Sequence, residues 1–137
     1  MLNNAEEKNK AAESFANAQA AAKSGNFEQA IDLYLAGLHL DPENVDAHRD
    51  LRLISFQRKA AGGKDLRLVD RVKLRFRRGN PKEAMLNAER LLAYDPGDME
   101  KMIAVQNAAG VGGFVQTAEW MTDILLRTNQ DRERLRL

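Results

Sequence analysis

The chain has no cysteine, only three prolines, few aromatic residues and no long apolar run. Without cysteine there is no disulfide scaffold, no thiolate-bound zinc and no thiol nucleophile, although compartment stays open. No stretch reaches the roughly eighteen consecutive apolar residues of a transmembrane helix, so no membrane span is expected. The opening MLNNAEEKNKAAES is polar and acidic and lacks the apolar segment of a secretory signal, which makes a cytoplasmic location the expectation. Aromatics make up 6% of the chain against 30% charged residues, and alanine is abundant. That composition favours a soluble, helical protein over a β-rich one. At 137 residues the chain is one compact domain or a short array of repeats.

Charge of one sign is also missing overall, because the net charge is +1, yet it is unevenly placed. Residues 1–47 carry net −5, residues 48–90 net +8 and residues 91–137 net −2. Blocks of alternating sign bear on partners and self-association rather than on fold.

Helix punctuation is frequent. Alanine-rich 5–23 is helical by propensity and is stopped by Gly25-Asn26. A second helix covers about 28–40, with Ala30, Leu33, Tyr34, Gly37 and Leu38 on one face, and Asp41-Pro42 ends it. A third, about 44–61, ends at Gly62-Gly63, after which Asp65 is placed to cap a fourth. In RLVDRVKLRFRR, Val72, Leu74 and Phe76 alternate with basic residues as in a strand, while Leu68, Val69, Val72 and Phe76 also share a helical arc. With every neighbour helical, a lone strand has nothing to pair with, so a helix over 65–78 is expected. Helices at about 81–94, 98–110 and 115–129 bring the total to seven, an all-α fold.

Two stretches share a sparse pattern 54 residues apart: GNFEQAIDLYLAGLHLDPEN from Gly25 and GNPKEAMLNAERLLAYDPGD from Gly79. Each opens with Gly-Asn, places alanine at Ala30 or Ala84, and reaches Asp-Pro. A helix pair that must stack on a neighbour to bury its apolar face needs only a tight turn, a small crossing residue and a terminator. Such a constraint fixes few positions and frees the rest. If the copies are equivalent, Ala30 and Ala84 have like surroundings.

With Ala18, Gly25, Phe27, Ala30 and Pro42, then Gly79, Pro81, Ala84 and Pro96, then Gly113 and Ala118, the pattern resembles the tetratricopeptide repeat. The resemblance implies stacked antiparallel helical hairpins in an α-solenoid and an interaction module rather than an enzyme. Residues 1–10 extend the first helix, 11–44 form unit 1, 45–63 a lone capping helix and the Gly-Gly joint, 64–98 unit 2, 99–131 a degenerate unit 3 and 132–137 a tail. Ser14, Asn17 and Ala21, and later Arg71 and Arg75, stand where the family packs large apolar residues. A buried unpaired arginine is very costly, so the helix around residue 71 is expected to be rotated or unusually exposed.

The resemblance also implies a concave groove for a peptide or partner helix, lined by first-helix residues. At those positions lie Phe15, Gln19 and Ala22, then Arg49, Leu53 and Phe56, then Val69, Lys73, Phe76 and Arg77, and finally Ile103 and Asn107. For Phe15, Phe56, Phe76 and Ile103 the plain alternative is core packing. The Lys and Asn clamp with which some relatives hold a terminal carboxylate is absent, since Phe15 and Gln19 occupy its place.

Lys64, Arg67, Arg71, Arg75 and Arg78 follow spacings of three and four residues, which would put all five on one face of a helix over 65–78. The stripe is either a solvated face paired with Asp65 and Asp70, or a face for an acidic protein partner. Nucleic acid is an alternative with less behind it, because no recognition motif or stacking aromatics accompany the charges. Self-assembly is a further alternative, with Trp120 and Leu126 lying off the main apolar face of the last helix.

Catalytic signatures are lacking. AAGGKD has neither the spacing nor the context of a phosphate loop, and AAGVGGF reads as a turn. His39 and His48 have no second ligand at metal spacing, so at most one contributes to a weak surface site. No cofactor, metal or catalytic residue is expected.

Overall fold

The computed structural model describes residues 2–76 and 79–135. Among them are seven α-helices and no strand: α1 (Asn4–Lys23), α2 (Phe27–Leu40), α3 (Val45–Ala60), α4 (Leu68–Phe76), α5 (Pro81–Ala93), α6 (Met99–Val111) and α7 (Val115–Leu135). The all-helical expectation therefore stands, including for the alternating segment around Val72. Helix α7 runs well past residue 129, so residues 132–135 continue it rather than forming a tail.

Local chemistry sets the helix ends. Asn3 and Glu6 form a reciprocal capping box at the start of α1. Three helices, α1, α3 and α6, close with a positive-φ glycine, at Gly25, Gly62 and Gly113. Each closure carries the same long backbone bond, Asn26 N to Ala21 O, Gly63 N to Arg58 O and Phe114 N to Ala109 O, all 2.9 Å. The two Asp-Pro turns also match. Asn44 N donates to Asp41 O and Asp98 N to Asp95 O, both at 3.2 Å. The Asn44 and Asp98 side chains then cap α3 and α6, each at 3.1 Å.

Packing departs from the expected units. Helices α1 and α2 form a close hairpin in which Ala11, Ala18, Ala30 and Gly37 let the backbones approach. Helix α3 is not a solvating cap. It buries Ala47, His48, Leu51, Ile54, Ser55 and Arg58 and is packed by α2, α5 and α7. One apolar core joins residues of α1, α2 and α3 to Met85, Leu86, Ala93 and Ala109, so it crosses the Gly62-Gly63 joint. A second core unites Leu92, Met102, Val105, Trp120 and Met121. Trp120, a candidate for an associating surface under the self-assembly alternative, is buried there, with its ring 5.4 Å from that of His48.

Ala30 and Ala84 do not occupy like surroundings: the first is fully buried, the second exposed. The physical reason is α4. Among its described side chains none is buried, and the N-terminal turns of α5 are exposed where those of α2 are covered by α1. Asp65 does not cap it either. Its carboxylate accepts from the next backbone N–H, Leu66 N, at 2.7 Å, and also meets Lys101 and Arg71. Arg58 fastens the preceding turn, donating to Lys64 O at 2.6 Å and lying 4.3 Å over the Tyr94 ring.

Candidate functional site

Tyr34 is buried between α1 and α3, with the Phe15 ring stacked on it at 6.2 Å. Above it opens a groove of about 400 Å³, lined by Gln19, Ala22, Lys23, Tyr34, Asp50, Leu53, Ile54 and Gln57. Helix geometry explains the lining. Gln19, Ala22 and Lys23 recur at three and four residues on α1, and Asp50, Leu53, Ile54 and Gln57 do so on α3. Burial, with Asp50 adding to it, pushes the Tyr34 phenol up to about 12, so it is a neutral hydroxyl at any physiological pH. The groove thus offers two amides, a phenol and opposed charges around an apolar floor. Leu53 stands in it 59% exposed.

Of the residues expected to line a groove, the structure brings Gln19, Ala22 and Leu53 together, with Phe15 packed behind them. The others lie elsewhere. Arg49 is exposed and pairs with Asp46, and Phe56 is covered on one face by Arg52 at 4.9 Å. Ile103 and Asn107 are exposed on α6, and Val69 and Lys73 are exposed on α4. The Phe76 side chain, Arg77 and Arg78 lie outside the described residues. Lys23, Tyr34, Asp50, Ile54 and Gln57 were missed, although the last three share the face of Leu53 by simple helical spacing.

The basic stripe is broken. Lys64 and Arg67 precede α4 rather than lying on it, because the helix begins only at Leu68. Arg67 pairs with Asp70 at 3.3 Å and Arg71 turns toward Asp65 at 3.7 Å. Arg75 remains exposed.

A second polar cluster is sealed in the core. His48 is fully buried and so is not the histidine of a surface metal site. Its Nδ1 lies 2.7 Å from the Glu89 carboxylate and its Nε2 2.7 Å from Pro42 O. Pro42 O can only accept, so Nε2 carries a proton; an ionised Glu89 likewise accepts from Nδ1 and favours the imidazolium. Burial works against that charge, but Glu89, the Pro42 carbonyl and Glu43 outweigh it and hold the ring above its ordinary value. The adjoining cavity, about 10 Å³, has no room for a substrate, and the pair ties α3 to α5. Forty-one residues separate its members, and no local signal links them.

No family model, curated protein or solved structure matches the chain.

Proposed function

We propose that this protein is a non-enzymatic interaction module, which holds an extended peptide segment in the groove between α1 and α3; the unlike surroundings of Ala30 and Ala84 count against its being built from equivalent copies of one repeat. The observation that carries the reading is an open groove with an exposed leucine between two free amides, over a neutral phenol. Such a surface suits a short strand of backbone. Gln19 and Gln57 meet peptide N–H and C=O groups, while Leu53 and Ala22 take one apolar side chain. Lys23 and Asp50 favour a segment carrying both signs of charge.

In this reading the stack pairs α1 with α2, α3 with α5, and α6 with α7, and residues 61–80 are an excursion from it. The recurring glycine closures and Asp-Pro turns support that pairing, and so does α3 packing on α5 through His48–Glu89. Lys64 and Arg67 lie ahead of α4 rather than on one helical face with Arg71 and Arg75, which weakens the support for the nucleic-acid alternative.

Selection of displayed random peptides tests the proposal. Peptides enriched on the wild-type chain should bind Leu53→Arg at least about tenfold more weakly, the usual loss when a central apolar contact is removed. Equal binding to a folded Leu53→Arg variant would place recognition elsewhere.

A further inference from the structure

Helix α4 is mounted with its apolar side outward. Asp70, Arg71 and Leu74 are half-buried toward the body, whereas Leu68, Val69 and Val72 are 67%, 52% and 45% exposed. At helical spacing those three form one ridge, with Lys73 on one flank and Arg75 on the other. An outward apolar ridge on a protein surface marks an interaction site.

A counterpart lies at the α6–α7 end. A cleft of about 440 Å³ is lined by Gly110, Gly113, Val115, Ala118, Glu119, Thr122 and Asp123. Val115 at its edge is 58% exposed, and Leu126 continues the same face of α7 at 57%. The floor is shallow because its residues are small, which suits an inserted ridge of larger side chains. Its walls are acidic where the flanks of α4 are basic. Among the described residues, no ion pair involves Lys73, Arg75, Glu119 or Asp123.

We infer that the α4 ridge of one copy docks into the α6–α7 cleft of a second copy of this chain. Leu68, Val69 and Val72 enter the cleft, and Lys73 and Arg75 face Glu119 and Asp123. Charge complementarity selects the occupant: the chain itself carries both halves of the match. Because the two faces differ, the contact is heterologous, and it repeats from copy to copy unless it closes on itself. Few side chains take part, so the association is of the weak, transient class. It uses neither the peptide groove nor Leu53 and is independent of that reading.

Sedimentation velocity from about 10 to about 300 µM, a range that brackets weak association, tests this at low and high salt. The wild-type chain should associate with rising concentration, and less so at about 0.5 M salt. Lys73→Glu/Arg75→Glu and Glu119→Lys/Asp123→Lys should each weaken association at least about tenfold, since like charges are then opposed. An equimolar mixture of the two variants should recover it. All four positions are exposed, and circular dichroism checks that each variant is folded. A chain monomeric at every concentration overturns the inference. So does association indifferent to both charge reversals, or a mixture of folded variants that stays monomeric. Binding of the monomer to anionic vesicles through α4, with no self-association, overturns it as well.

Discussion

His48 shows what one side chain contributes to this protein. Its ring nitrogens lie 2.7 Å from the Glu89 carboxylate and from Pro42 O, an arrangement that favours the cation while Glu89 is ionised. Its folded-state pKa is raised above the unfolded value of about 6.5. The stabilisation it supplies is therefore fully present below about pH 6.5 and is lost as pH rises through the folded value. Urea midpoints should fall between pH 6 and pH 9, on the order of the usual titration range of a coupled histidine, and His48→Gln should flatten that profile. Glu89→Ala, which strands a buried imidazolium, should cost roughly 3 kcal/mol at pH 6, measured by the same denaturation.

At the scale of elements, helix ends are short-range chemistry and partners are not. Gly25, Gly113 and the two Asp-Pro turns act within a few residues of themselves, so the sequence announces them. Gly113 has φ +75 and closes α6, a conformation that costs a Cβ-bearing residue about 1–2 kcal/mol. Gly113→Ala should lower stability by that amount. Gly97→Ala, where φ is not positive and the nearest atom to a new Cβ is Lys59 Nζ at 3.7 Å, should change it little. Paired thermal melts separate the two. The α4 segment was legible in its period but not in its start. Asp65 spends its carboxylate on Leu66 N, Lys101 and Arg71, of which only the first is local. The pairing of α3 with α5 rests on His48, Arg52 and Arg58 reaching Glu89, Pro96 and Tyr94. None of these contacts leaves a trace in nearby sequence. The groove was half visible for the same reason: Gln19, Ala22 and Leu53 stand at lining positions that the family resemblance implies, whereas Tyr34 depended on how the α1–α2 hairpin packs.

At the scale of the whole molecule, one core spans the Gly62-Gly63 joint. Leu86, Met85, Ala93 and Ala109 complete the apolar surroundings of α2 and α3. The chain is therefore expected to unfold in a single transition, with Trp120 fluorescence and far-ultraviolet dichroism sharing one midpoint. Residues 1–61 alone should lack a cooperative melt, because the apolar face of α3 then has no cover.

The groove between α1 and α3 is the centre of the functional reading, and a nuclear magnetic resonance titration with a selected peptide reaches it directly. Amide and side-chain signals of Gln19, Ala22, Leu53 and Gln57 are predicted to shift together along one binding curve. Shifts confined to α4 or to the α6–α7 cleft, with those four unmoved, would contradict the account.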